Sequence, residues 1–163
     1  MQSKNKFIFL LSITFIVIPT FVASHATNPP TDTFHEIKNI IEGVVSEITT
    51  EDDLHAALTS SKPTVILGYM DPCPHCSSIK PHMKALAKKY PKISFATANG
   101  PRLVMHKKVS ALSNSSIKIP GYPTTIFINN GQIVDHVIGG NKQKLDQKTL
   151  ELAAASKESR KKS

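Results

Sequence analysis

The stretch that decides the fold is Thr64-Val65-Ile66-Leu67-Gly68-Tyr69-Met70-Asp71-Pro72-Cys73-Pro74-His75-Cys76. Its first half is nearly all apolar and rich in β-branched side chains, the pattern of a strand covered on both faces. Its second half holds both cysteines of the chain, three positions apart. From Pro74 to about Tyr90 the apolar positions Ile79, Met83, Leu86 and Ala87 recur at three and four, so a helix follows the strand at once, with Pro74 in its first turn. Pro81 falls inside that pattern and is expected to kink it.

Working outward, Val44 to Ile48 reads as a short strand, and Thr50 with Asp53 three residues on opens a helix through Leu54, Ala57 and Leu58 to about Ser60. Ile93 to Ala98 is another strand and Arg102 to Leu112 another helix. Thr124 to Ile128 and Ile133 to Ile138 flank Asn130-Gly131, a strong hairpin signal. A closing helix starts near Lys142, carries Leu145, Leu152 and Ala153, and frays from Lys157. Ahead of these elements, Thr31 to Gly43 reads as an extra N-terminal helix, with Thr33 and Glu36 as a capping box and Gly43 as its stop. Strands that alternate with helices and end in a hairpin predict an α/β fold, a mixed central β-sheet flanked by helices on both faces.

Composition sets the outer limits. The 163 residues are 40% apolar and 20% charged, with 7 Gly and 11 Pro, which excludes disordered, collagenous and low-complexity chains. Two cysteines cannot staple a disulfide-dense scaffold, so a packed core must hold the fold. Lys4 and Lys6 precede an uncharged apolar run from Phe7 to Ile18, and small residues lead to Ala26. That is the pattern of a secretory signal peptide over residues 1–26. Its apolar run is shorter than the ~20 residues of a membrane span, and an uncleaved N-terminal anchor is the alternative. The remaining domains are a helical extension over 27–43, the α/β domain over 44–156 and a basic tail over 157–163. The formal charge of +8 becomes about +6 without Lys4 and Lys6. Export to the periplasm would put the cysteines where disulfides persist.

Cys73 and Cys76 are the candidate chemistry. At i and i+3 on a first helical turn the two sulfurs point the same way, so a small-ring disulfide opens and closes with little backbone motion. Cys73 would sit at the helix N-terminus, where unpaired N–H groups and the macrodipole favour its thiolate. Cys76, one turn in, would be more buried. Cys73 then forms the mixed disulfide and Cys76 resolves it. Pro74 and His75 between them are the tuning residues: His75 can add positive charge or donate a hydrogen bond to the Cys73 thiolate, while Asp71 pushes weakly the other way. Two readings compete. An inert bridge gains little from closing so short a loop. A zinc site needs two further ligands, with His82 as a third at best.

These residues resemble the thioredoxin superfamily. The resemblance covers about Val44 to Ala155 and rests on four features in order. They are the strand ending at Met70, the Cys-x-x-Cys opening a helix, Pro81 five residues after Cys76, and Ile119-Pro120-Gly121-Tyr122-Pro123-Thr124 before a strand. It implies a thioredoxin fold and a cis-proline at Pro123 facing the disulfide, with the Tyr122 backbone open to a substrate strand. The Pro-His dipeptide is similar to that of exported DsbA-type disulfide oxidases. Three features depart from that type: only one helix fits between Ala98 and Tyr122, Tyr122 before Pro123 is similar to protein disulfide isomerase, and Pro72 stands where thioredoxins carry tryptophan. Leu67 occupies the position six before the first cysteine where the family often has a buried acid, so a proton leaving Cys76 must travel through water or another group.

The resemblance therefore implies an exported thiol–disulfide oxidoreductase, an oxidase of substrate thiols before a reductase or isomerase. A non-catalytic peptide-binding chaperone is the reading from another class. No cofactor or metal is expected. The implied partners are exported proteins with thiols or disulfides and a membrane redox protein that resets the pair, and the chain is expected to be a monomer. His35, His55, His82, His106 and His136 lack ligand spacing, and no basic-aromatic interleaving points to nucleic acid.

Overall fold

Six consecutive residues of one strand, Thr64–Tyr69, are buried, which places that strand at the centre of a sheet with helices on both sides. The computed structural model describes residues 44–114 and 116–161. In chain order the elements are β1 (Val45–Ile48), α1 (Glu51–Leu58), β2 (Thr64–Tyr69), α2 (Pro74–Lys89), β3 (Ser94–Asn99), α3 (Met105–Leu112), β4 (Thr124–Asn129), β5 (Gln132–Ile138) and α4 (Lys142–Lys161). The five strands form one sheet in the order β1-β3-β2-β4-β5. β3 runs parallel to both β1 and β2, and β4 is antiparallel to β2 and β5. This is the expected mixed sheet of a thioredoxin fold. The N-terminal helix expected over Thr31 to Gly43, like the signal segment before it, lies outside the described residues.

Alternation along the central strands divides the core in two. Ile66, Ala96, Ala98, Ile126 and Ile128 meet Leu54, Leu58, Met105 and Val109 from α1 and α3. On the opposite face Val65, Leu67, Phe95 and Phe127 meet Ile79, Met83 and Leu86 of α2 and Leu145 and Leu152 of α4. Each fully buried aliphatic or aromatic side chain in these layers contributes about 1.5–3 kcal/mol. The outer helices are tied by polar contacts as well. His82 Nε2 lies 2.7 Å from Asp146 Oδ1, joining α2 to α4, and Lys108 reaches Glu51 at 3.1 Å, joining α3 to α1.

Local signals act where they were read. Thr50 caps α1 by accepting from the Asp53 N–H at 3.1 Å while its hydroxyl donates to the Asp53 carboxylate at 2.6 Å. Asn130 and Gly131 both take positive φ, 50° and 75°, as a tight hairpin turn with right-handed twist requires. The Gly131 N–H donates to the Ser60 carbonyl at 2.9 Å, so the hairpin is also pinned to the end of α1.

Two boundaries, the start of α3 and the end of α4, differ from the sequence reading, whereas α2 keeps the extent that was read for it. α3 begins at Met105, not Arg102. Asn99 opens an isolated turn ahead of it: its side chain accepts from the Arg102 N–H at 3.2 Å, as an N-cap does, and its carbonyl accepts from the Leu103 N–H at 3.0 Å. Val104 then turns through the left-handed region at φ 44° before the helix starts. α4 continues to Lys161 where fraying from Lys157 was expected. Its last turns hold no Gly or Pro and are rich in good helix formers. α2 runs through the exposed Pro81, which removes one donor without ending the helix.

Candidate active site

β2 delivers the chain to the carboxyl edge of the sheet, and Met70 to Pro72 turn it into α2. Cys73 is the N-cap of that helix, in extended conformation, with Pro74 in the first turn where its missing N–H costs nothing. The two cysteines are joined in a disulfide, with their Cα atoms 5.2 Å apart. Cys73 is half-buried, whereas Cys76 is only 2% exposed. The Cys76 backbone N–H donates to Cys73 Sγ at 3.1 Å, and the Ser77 N–H donates to the Cys73 carbonyl at 3.1 Å. A sulfur in this place takes up the helix-terminal N–H that a cap oxygen would otherwise accept.

That bond is one of the helix-terminal N–H contacts expected at Cys73, and Cys76 is the residue that supplies it. The His75 side chain, the other group expected to act on Cys73, is exposed. The His75 carbonyl accepts from Ser78 Oγ at 2.9 Å, which ties down the first turn of α2. Pro74 is exposed beside it. His82, weighed as a zinc ligand, is instead bonded to Asp146.

The second wall is the Gly121-Tyr122-Pro123 segment ahead of β4. The Tyr122–Pro123 peptide is cis, as is Asp71–Pro72. Two bonds hold the segment on either side of Tyr122. Thr124 Oγ1 donates to the Gly121 carbonyl at 2.7 Å, and the Gly139 N–H donates to the Pro123 carbonyl at 2.7 Å. Pro123 is buried. The Tyr122 ring turns inward and lies over two glycines at the ends of β2 and β3. A Cβ on Gly100 would fall 2.1 Å from the ring, and one on Gly68 would fall 2.7 Å from Met105 Sδ and 3.1 Å from the ring. Glycine is needed at both positions for this close approach. The Tyr122 hydroxyl is buried without a hydrogen-bond partner among the described residues, and burial raises its pKa.

Leu67 is fully buried against α2, so no carboxylate stands at that position. Polar groups on the same side of the sheet are Tyr69, two residues further along β2, and Glu47 on β1, two strands away. The Tyr69 hydroxyl donates to the Glu47 carboxylate, and Lys80 Nζ sits 3.5 Å from the centre of the Tyr69 ring. The bond to Glu47, followed by burial, pushes the Tyr69 pKa up to about 12. This group was not legible from spacing, because Glu47 and Tyr69 meet only when β1 has joined the sheet.

The family model described as Thioredoxin matches residues 45–151. Among curated proteins, the chain is 34% identical over 84 residues to "Thioredoxin H-type" of Picea mariana, covering 52% of this chain and 62% of that one. It is also 34% identical over 82 residues to "Thioredoxin H-type 1" of Nicotiana tabacum, covering 50% of this chain and 60% of that one. The chain thus spans under two-thirds of the length of these curated relatives. Among solved structures, oxidised thioredoxin from Plasmodium falciparum superposes with a TM-score of 0.57 at 22% identity, over 68% of this chain and 99% of that one. This last likeness is one of fold.

Proposed function

The chain belongs to the thioredoxin family, and from that premise we propose that it is an exported thiol–disulfide oxidoreductase that oxidises substrate thiols. The observation that carries this reading is the asymmetric pair. Cys73 is half-buried at a helix N-cap with a peptide N–H aimed at its sulfur, while Cys76 is buried behind it. The Cys76 N–H and the macrodipole stabilise negative charge on Cys73 Sγ, which makes Cys73 the thiolate of the reduced pair. Each unit by which its pKa falls makes the pair more oxidising by at most about 30 mV.

In the forward direction a substrate thiolate attacks Cys73 Sγ. The Cys73–Cys76 bond breaks and its electron pair leaves on Cys76, which takes up a proton. The substrate's second thiolate then attacks the substrate sulfur of the mixed disulfide and displaces Cys73 as a thiolate. The substrate loses two electrons and two protons and gains a disulfide; the protein gains the electrons as the Cys76 thiol and the Cys73 thiolate, and the second proton goes to solvent. The Tyr122 peptide, between its two held neighbours, is the edge along which an extended substrate pairs. Pro74 and the exposed His75 adjoin the attacked sulfur, where a protonated His75 adds to the field favouring the thiolate. Export rests on Lys4, Lys6 and the apolar run of residues 7–18, and it implies a membrane partner that re-oxidises the pair in the periplasm.

The same pair run backwards is a reductase, and the similarity to proteins named as thioredoxins favours that second reading. Equilibration with glutathione buffers separates them. A potential above about −200 mV supports the oxidase, and one near −270 mV supports the reductase. The activity itself is tested by mixing the oxidised protein with a reduced dithiol peptide. One peptide disulfide should form per protein, and Cys76→Ser, which has no disulfide of its own, should attack the oxidised form of the peptide through Cys73 and accumulate a mixed disulfide, with the other peptide sulfur leaving as a thiol. Absence of both products contradicts the proposal.

A further inference from the structure

An open cleft of about 500 Å³ runs between α3 and the segment leading to Tyr122, lined by His106, Lys107, Ser110, Ala111, Lys118 and Ile119. We propose that it receives an acidic side chain of the substrate protein, and so selects thiol substrates with carboxylates near the reacting cysteine. The inference rests on the oxidoreductase reading above and adds a substrate class to it.

The charge in the cleft is of one sign. Lys107 stands on the α3 wall and Lys118 on the other, His106 lies beside Lys107, and no carboxylate is among the lining residues. The next lysine along α3, Lys108, is engaged elsewhere by Glu51 at 3.1 Å. His106 and Lys107 present the same helix face as Ser110 and Ala111, being four residues earlier, so α3 offers a basic rim over a small hydroxyl and a methyl. The Ile119 side chain supplies an apolar wall for the carbon stem of an aspartate or glutamate.

The position of the cleft ties it to Tyr122, beside which the substrate is taken to pair. Lys118 precedes Tyr122 by four residues, so their Cα atoms are at most about 14 Å apart. On the other wall α3 begins at Met105, which shares the space above Gly68 with the Tyr122 ring. An extended substrate paired beside Tyr122 advances about 3.3 Å per residue, so its side chains about four residues from the cysteine come level with Lys118. Opposite charges placed so raise the encounter rate and fix register, in a salt-dependent way.

The test uses the full-length oxidised protein and three synthetic dithiol peptides, identical except for aspartate, serine or lysine four and five residues to either side of one cysteine. At low salt the aspartate peptide should be oxidised about tenfold faster than the lysine peptide. The ratio should fall towards one in 1 M salt, where the screening length is about 3 Å. Lys107→Glu with Lys118→Glu should abolish or invert the order while leaving the serine peptide's rate unchanged. If that variant does not fold, Lys107→Gln with Lys118→Gln removes the same charges and should erase the order. Equal rates for the three peptides with the unmodified protein, or an aspartate preference that survives both variants, would overturn the inference while leaving the oxidoreductase reading intact. Failure to oxidise any of the three would overturn both.

Discussion

Replacing Tyr122 by phenylalanine should make the protein more stable. The ring fills the space over Gly68 and Gly100, so the substitution keeps its packing and removes only the hydroxyl. That hydroxyl is buried with no hydrogen-bond partner among the described residues, whereas in the unfolded chain water satisfies it. Leaving a polar group unsatisfied in the interior costs about 1–3 kcal/mol, and replacing it by an apolar group of the same shape recovers part of that cost. A gain of about 1–2 kcal/mol is expected. A folded region of roughly 118 residues unfolds with an entropy near 0.25 kcal/mol/K, so Tm should rise by about 4–8 °C. Thermal unfolding of the oxidised protein followed by circular dichroism measures this directly. The exchange rate with a neutral dithiol peptide should not change, because the phenol faces the interior and the substrate meets the backbone. An unchanged or lower Tm would refute the reasoning, since it would mean that the hydroxyl has a partner. A slower exchange at unchanged Tm would place the hydroxyl at the substrate.

Two other perturbations follow from the same neighbourhood. Gly100→Ala puts a methyl 2.1 Å from the Tyr122 ring, and because the ring must move it should cost about 1–3 kcal/mol and slow peptide exchange, measured by denaturant unfolding and by rate. The Tyr69 phenol, raised to about 12 chiefly by its bond to Glu47, stays protonated in the folded state at pH values where the unfolded chain ionises near 10. Its contribution to stability is therefore complete below pH 10 and lost as pH rises from 10 to 12. In an absorbance titration Glu47→Gln should bring one phenol down towards 10, and stability between pH 10 and 12 should fall less steeply than in the unmodified protein; an unmoved titration curve would contradict the Tyr69–Glu47 bond.

Most of the fold could be read from short-range pattern, because its elements carry their own signals. β2 is buried along its whole length, as its unbroken apolar run implies, and Thr50, Cys73 and Asn130-Gly131 act through neighbours within four residues. Misreadings arose where a local turn or a distant partner decides. The start of α3 depends on Val104, whose left-handed φ of 44° interrupts the turn that Asn99 caps and which a periodicity count does not register. The seat of the Tyr122 ring depends on Gly68 and Gly100, which reach it only through the assembled sheet, although a glycine within an apolar strand is itself a signal of close approach. The bond between Glu47 and Tyr69 spans β1 and β2, which are separated by β3. At the site, both sulfurs were legible as residue types at fixed spacing, and Pro123 through the family resemblance. That a helix-terminal N–H would face Cys73 was legible too, because position at a helix start implies it; which N–H it is, that of Cys76, needed the structure.

The central claim is that the helix N-cap makes Cys73 a thiolate near neutral pH, and the pH dependence of its alkylation in the reduced protein tests it most directly. With Cys76→Ser to isolate the single thiol, the rate should rise with a midpoint well below pH 7. A midpoint near 8.5, the value of an unperturbed cysteine, would contradict the account.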